Sequence, residues 1–338
     1  MDVINIYTII LSSLLTLFLC IFLSYISPSL NLLDYPNKRK IHSVPVPLVG
    51  GISIISSFII FTFFLDADVT FKFVIYSSVI VLLFGLIDDI FDIGITIRLI
   101  AQFVACLLII ETGLKIVDLG YYDFLPYFSL GFFSILVTFI CVVGLTNAFN
   151  FIDGIDGFCS SQVIISLLSL IFLSTNIVEA NIINLILILI FCIFIGFFLN
   201  LGILFNKIFL GDSGSTTLGF LVAWFLIYFS FKNFIHEALI IWCVTLPVYD
   251  MLRVVFQRLY QRRNPFKPDR SHVHHIFLSL GYSNKSILFI TIIYSLISSL
   301  LGNIIFNILG ADYNIIIYII WFAIYFILIN FLISKKIN

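Results

Sequence analysis

Charge is what this sequence has least of. Asp, Glu, Lys and Arg make up 10% of its 338 residues and hydrophobic residues 62%, against about 25% and about 45 to 50% in soluble domains. A water-soluble fold is excluded. Long polar stretches are also missing: eleven apolar runs of about bilayer length, roughly 20 residues each, leave only short connections and no room for a separate soluble domain. The N-terminus, Met1-Asp2-Val3-Ile4-Asn5, lacks the basic region and small-residue cleavage site of a signal peptide, so the first apolar run is expected to be a retained span. None of the six cysteines belongs to a C-x-x-C pair, and all lie in or beside apolar runs. They suggest small buried hydrophobes, neither a disulfide framework nor a zinc site. A net charge of −1 offers no argument for nucleic acid, and no such partner is expected.

The runs predict an all-α, polytopic membrane protein with spans near 4–26, 48–65, 71–87, 97–112, 131–149, 158–174, 182–201, 215–231, 237–256, 286–306 and 314–333. Numbering the loops alternately puts 14 of the 17 Lys and Arg on one side and Lys72, Lys115 and Lys232 on the other. The positive-inside rule makes the rich side cytoplasmic. The N-terminus is then outside and the C-terminus inside, with residues 1–338 forming a single integral-membrane domain whose cytoplasmic loops are 27–47, 88–97, 150–157, 202–214 and 257–285.

The informative polar residues lie on that basic side. In Gly85-Leu86-Ile87-Asp88-Asp89-Ile90-Phe91-Asp92 an apolar span runs directly into three carboxylates. Like charges so close raise one another's cost, and such a cluster calls for a cation. A solvated span end accounts for one Asp better than for three. In Asn147-Ala148-Phe149-Asn150-Phe151-Ile152-Asp153-Gly154-Ile155-Asp156-Gly157, an amide or carboxylate recurs at every third position. This spacing puts them on one helical face, and the glycines let the backbone unwind there. Such groups suit Mg²⁺ or the hydrogen-bonding edges of a nucleotide. The stretch Gly211-Asp212-Ser213-Gly214-Ser215-Thr216 opens a span with small residues, suited either to phosphate at a helix start or to a simple N-cap. The long loop 257–280 carries Arg258, Arg262, Arg263, Arg270, His272, His274 and His275. It reads better as a diphosphate clamp than as zinc ligation. Contact with anionic lipid explains its arginines but not its histidines. A further basic stretch runs from Asp34-Tyr35-Pro36-Asn37-Lys38-Arg39-Lys40 to His42. All of these gather at helix mouths on one side of the membrane, as an enzyme joining a cytosolic phosphate compound to a lipid would require. A secondary transporter, the competing class, places its ionisable groups at mid-depth in broken helices and often shows inverted repeats. Neither feature is found.

In order, these stretches resemble the polyprenyl-phosphate N-acetylhexosamine-1-phosphate transferases, most closely their WecA-type branch. The match runs from Asp34 to Gly281: Asp-x-Pro-Asn-x-Arg-Lys-x-His, Asn-Ala-Phe-Asn-x-x-Asp-Gly-Ile-Asp-Gly, Asn-Leu-Gly-Ile-Leu at 200–204, Gly-Asp-Ser-Gly-Ser, and Asn264-Pro265-Phe266 leading to His-Val-His-His. Ser213, Phe158 and the short tail ending in Lys335-Lys336 depart slightly from the pattern. The resemblance implies transfer of a sugar-1-phosphate, N-acetylglucosamine by default, from a UDP-N-acetylhexosamine to undecaprenyl phosphate at the bacterial cytoplasmic membrane. UMP is released and a cell-surface glycan of the O-antigen kind begins. It implies Mg²⁺, with Mn²⁺ as a substitute, and leaves a homodimer open. Carried over by position, Asp88 and Asp89 are catalytic, Arg98 lies near the lipid phosphate, and Asn150 and Asp212 ligate metal. Asp34, Asn147, Asp153, Asp156, Arg258, His272, His274 and His275 bind substrate, the last six on the nucleotide sugar. Phosphoryl transfer asks for positioning and charge neutralisation more than covalent chemistry, and these residues supply both.

Overall fold

In lipid an apolar run must satisfy its backbone hydrogen bonds internally, which makes it a helix. The computed structural model describes residues 3–36, 44–124, 129–264 and 271–337. The expectations for Lys38 to His42 and for Pro265 to Arg270 therefore lie outside the described residues. In chain order the elements are α1 (Val3–Ile26), β1 (Leu33–Asp34), β2 (Val46–Pro47), α2 (Gly50–Thr62), α3 (Val69–Phe91), α4 (Ile95–Ile110), α5 (Ser134–Ile152), α6 (Phe158–Phe172), α7 (Ala180–Asn200), α8 (Gly211–Phe231), the short α9 (Glu237–Ile240), α10 (Thr245–Tyr260), α11 (Val273–Ser279) and α12 (Asn284–Ile337). Among the described residues seven helical stretches are long and apolar enough to cross a membrane, while α2, α4 and α6 are shorter apolar helices. The chain is an all-α, multi-pass membrane protein.

Several boundaries differ from expectation in ways that matter. The last two expected spans are two arms of α12, which meet at Gly310, a residue with φ 83° and ψ −177°. Only glycine adopts that conformation readily. Helix α3 continues to Phe91, so Asp88 and Asp89 belong to its final turns instead of following it. Helix α8 begins at Gly211, so Asp212 and Ser215 lie in its opening turns. Between β1 and β2 there is a two-residue antiparallel pairing, Leu33 with Pro47 and Asp34 with Val46, that a purely helical reading omits.

The central element is α8, buried along nearly its whole length and packed against α2, α3, α5 and α6. Its start is held by close backbone approach. A Cβ on Gly51 would lie 2.3 Å from Gly214 Cα, and one on Gly85 would lie 2.5 Å from Ser213 Cα. The Gly50 and Gly51 amides donate to the Phe209 and Leu210 carbonyls, each at 2.9 Å, and Phe209 N donates to Pro47 O at 2.8 Å. Small residues thus let α2, α3 and α8 meet where only backbone fits. At the far end of the same helices, Asp68 caps α3 by accepting from Thr70 N at 2.8 Å and Phe71 N at 3.2 Å. Lys232, just after α8, pairs with it at 2.8 Å. Helices α3 and α8 are therefore antiparallel and pinned at both ends.

Candidate active site

Four helix ends converge near the start of α8. Arg98, in the first turn of α4, directs Nη1 between two carboxylates, 2.9 Å from Asp88 Oδ2 and 2.8 Å from Asp212 Oδ2. Asn150, near the end of α5, donates from Nδ2 to Asp212 Oδ1 and to Ser215 Oγ, both at 2.9 Å. Asp88 is buried at 8% exposure, and its Oδ1 has no hydrogen-bond partner. An unsatisfied buried carboxylate oxygen is costly. One guanidinium thus serves two carboxylates and leaves a coordinating oxygen over.

Asp89 has a different job in the geometry. Its two oxygens accept from Asp212 N at 2.8 Å and Ser213 N at 3.1 Å, satisfying amides that open α8 and setting a negative charge against the positive end of the helix dipole. Gly211, with φ 77°, lets the chain turn into the helix there, and a Cβ on it would lie 2.7 Å from Asp89 Oδ2. Asp89 positions Asp212.

Between α5 and α6 the chain unwinds over 153–157, and Gly157 has φ 75°. Burial and the nearby charges of Asp212, Asp89 and Asp156 push the Asp153 carboxyl up to about 8. Asp156 pairs with Lys207 at 2.7 Å. Buried Asn200 joins this turn to the stretch leading into α8, accepting from Gly157 N and donating to Ile208 O. On the other side of the turn lies α11: a Cβ on Gly154 would come within 2.0 Å of His274 Nε2. His274 is buried, neither ring nitrogen has a hydrogen-bond partner, and burial followed by neighbouring His275 pulls it down to about 3. It is therefore neutral at physiological pH. His272 stands 5.2 Å, centroid to centroid, from the Phe151 ring and 6.3 Å from His274.

The structure thus brings Asp88, Asp89, Arg98, Asn150 and Asp212 into one centre, with Asp153, Asp156, His272, His274 and His275 on adjoining elements. Arg258 is buried in the last turn of α10. Asp34 lies in β1, in the ribbon joined to the entry of α8. Asn147 goes elsewhere: one turn deeper than Asn150, it donates to Gln102 Oε1 at 3.1 Å and Val143 O at 2.8 Å, joining α5 to α4.

The described residues contain no group of three His, Cys, Asp or Glu able to hold a metal. Mg²⁺ does not require one, since it commonly takes one or two protein carboxylates together with substrate phosphates and water. The unpartnered Asp88 oxygen, the Asp212 carboxylate and the Asn150 amide oxygen fit that donor set.

A family profile described as glycosyl transferase family 4 matches residues 71–230, the segment from α3 through α8 that builds this centre. The chain is similar to the undecaprenyl-phosphate alpha-N-acetylglucosaminyl 1-phosphate transferase of Yersinia pestis, 34% identical over 272 residues, 78% of this chain and 74% of that one. Its similarity to the protein of the same name from Escherichia coli (strain K12) is 33% over 285 residues, covering 82% and 77%. A probable undecaprenyl-phosphate N-acetylglucosaminyl 1-phosphate transferase of Bacillus subtilis (strain 168) is 27% identical over 295 residues, covering 84% and 80%. The chain belongs to this transferase family.

Membership in the glycosyl-1-phosphate transferases removes the support for a transporter. A cavity of about 470 Å³ lies at the opposite end of α8, lined by Lys115, Asp118, His236 and Glu237 among others. None of Asp88, Asp89, Arg98, Asn150 and Asp212 lines that cavity. Two polar residues close to the site were not singled out from sequence, Asp250 and Arg253. Both are fully buried in α10 and form a 2.9 Å ion pair. An acid and a base three apart inside an apolar run were the available signal.

Proposed function

We propose that this membrane transferase moves N-acetylhexosamine-1-phosphate, with N-acetylglucosamine as the default sugar, from a UDP-sugar to undecaprenyl phosphate. UMP leaves and a cell-surface glycan is begun. In this reading one integral-membrane domain crosses the bacterial cytoplasmic membrane eleven times, N-terminus outside and C-terminus inside, with the site open to the cytoplasm. The observation carrying the proposal is the Asp88–Arg98–Asp212–Asn150 centre at the mouths of four helices.

An oxygen of the lipid phosphate attacks the sugar-bearing β-phosphorus, a new P–O bond forms, and the bond from that phosphorus to the bridging oxygen breaks so that UMP departs. Mg²⁺, when bound, neutralises the diphosphate and the charge developing on the leaving oxygen. Asp212 and Asn150 would hold it, with the unpartnered oxygen of Asp88 beside them. Arg98 anchors the lipid phosphate by a charge-assisted contact. Asp153, Asp156, Arg258 and the histidines of α11 receive the nucleotide sugar. A phosphate monoester has a second pKa of about 6, so the lipid is largely a competent nucleophile at cytosolic pH. A single displacement suffices.

The test is purified protein with undecaprenyl phosphate, Mg²⁺ and a panel of UDP-sugars, scored for UMP and lipid-linked product. Product with a UDP-N-acetylhexosamine that requires both lipid and metal is expected. No product with any member of the panel would overturn the proposal.

A further inference from the structure

The proposed function leaves the fully buried Asp250 without a role. Its two oxygens are used differently. Oδ1 accepts from Arg253 Nη2 at 2.9 Å, Val273 N at 3.0 Å and Tyr325 OH at 3.3 Å. Oδ2 is 2.8 Å from His272 Nδ1. Arg253 also donates to the carbonyl of Ser271, the residue before His272, and to Gln257 Oε1 at 3.1 Å. One carboxylate therefore ties α10, the start of α11 and the second arm of α12 together through one oxygen and holds an imidazole with the other.

A carboxylate oxygen can only accept, so the nitrogen facing it must carry the proton. Arg253 already balances the charge of Asp250, so the histidine need not be cationic for the pair to be stable in the interior. His272 is then fixed with Nδ1–H toward Asp250, and Nε2, across the ring, is the atom left to act on a ligand. The ring lies beside that of Phe151, the residue that follows Asn150 in the chain. Resting on the transferase reading above, we infer that Asp250 is a positioning residue for the reaction: it sets the tautomer and orientation of His272 so that Nε2 meets an O–H or N–H group of the nucleotide sugar as a hydrogen-bond acceptor.

The substitution that separates this role from a structural one is Asp250→Asn. The amide oxygen can stay with the three donors at Oδ1 while its NH₂ replaces Oδ2, which preserves the packing and reverses the proton on His272. Turnover should fall by about 10²-fold or more, the range of an acid–base or proton-orienting group; thermal stability should fall as well, because the fully buried Arg253 loses its counter-charge, so the double variant and the ring signal carry the distinction. Combined with His272→Gln, Asp250→Asn should add no further loss, because its effect runs through the missing ring. Losses that multiply in the double variant would make Asp250 merely structural and overturn the inference. A second readout is independent of turnover. In ¹⁵N-histidine-labelled protein in alkaline buffer, the ring signal that disappears in His272→Gln should report protonation at Nδ1 in the wild type. Protonation at Nε2 would overturn the inference even if Asp250→Asn failed to fold. Should no UDP-sugar be turned over, the transferase reading fails, and the ring signal still decides what Asp250 does.

Discussion

Helices α3 and α8 run antiparallel, and the two ends they share carry charge in very different proportions. At one end the acid that caps α3 has a base of its own: Lys232 pairs with Asp68 at 2.8 Å and also lies 5.5 Å from the Tyr228 ring centroid. At the other end Asp88 and Asp212 share a single guanidinium, Asp89 accepts from the first amides of α8, and their negative field helps to push the Asp153 carboxyl up to about 8. The first end is complete within the protein and acts as a staple. The second has more carboxylates than bases and an unpartnered buried oxygen, and it is where the proposed cation would bind. Motif residues alone do not separate the two ends; charge balance does.

The largest effect should come from removing charge at the open end. Asp212→Ala takes away the carboxylate shared by Arg98, Asn150 and the proposed metal, so turnover should fall by about 10²- to 10³-fold or more. Raising Mg²⁺ should not restore it. Near-normal UMP release at ordinary Mg²⁺ would return Asp212 to a helix-start role and erase the contrast between the ends.

The neighbouring aspartates sharpen the comparison, because the structure gives them unlike work. Asp88→Asn should abolish most turnover with little change in melting temperature. Asp89→Asn loses one of two acceptors for the amides opening α8, a cost of about 1 to 2 kcal/mol, and should lower melting temperature along with turnover. The reverse pattern in melting curves and UMP assays would exchange their roles.

Arg98→Ala should raise KM for undecaprenyl phosphate more than KM for the UDP-sugar. A charge-assisted hydrogen bond contributes about 1.5 to 3 kcal/mol, which corresponds to about ten-fold or more in the lipid KM. An increase confined to the UDP-sugar KM would move Arg98 to the nucleotide subsite.

Much of this was legible in the sequence because lipid leaves the chain few choices. An apolar run must be helical, and carboxylates in such runs stand out, so the all-α membrane architecture and the polar groups around Asp88, Asn150 and Asp212 could be read directly, while α2, α4 and α6 are shorter than the spans expected there. The residues that escaped depend on a neighbour in space. Asn147 and Asn150 share a helical face by spacing, yet only Asn150 reaches the mouth, since Gln102 of α4 takes the amide one turn below. Asp89 looks like the twin of Asp88 until the first amides of α8 lie beside it. Asp250 and Arg253 belong to no motif, and their shared hydrogen bonds show only when Ser271, His272 and Tyr325 arrive from later in the chain.

The smallest effect should come from the balanced end, and it is the control for all the others. Asp68→Asn removes the charge facing Lys232 but keeps a side-chain oxygen, and Asn caps helices about as well as Asp. What is lost is a partly exposed ion pair, for which the side chains of Lys232 and Asp68 are 34% and 22% exposed. Solvent screening holds such pairs to about 0 to 1 kcal/mol. Melting temperature should therefore fall only slightly, and both KM values and kcat should stay at wild-type levels, because the pair lies at the opposite end of α8 from Asp212. Asp68→Ala, which removes the cap as well, should cost about 1 kcal/mol more and still leave kinetics intact. If Asp68→Asn instead depressed turnover as strongly as the Asp88 or Asp212 substitutions, charge balance would not be what divides a staple from a site, and the two ends of α3 and α8 would have to be read as one coupled system.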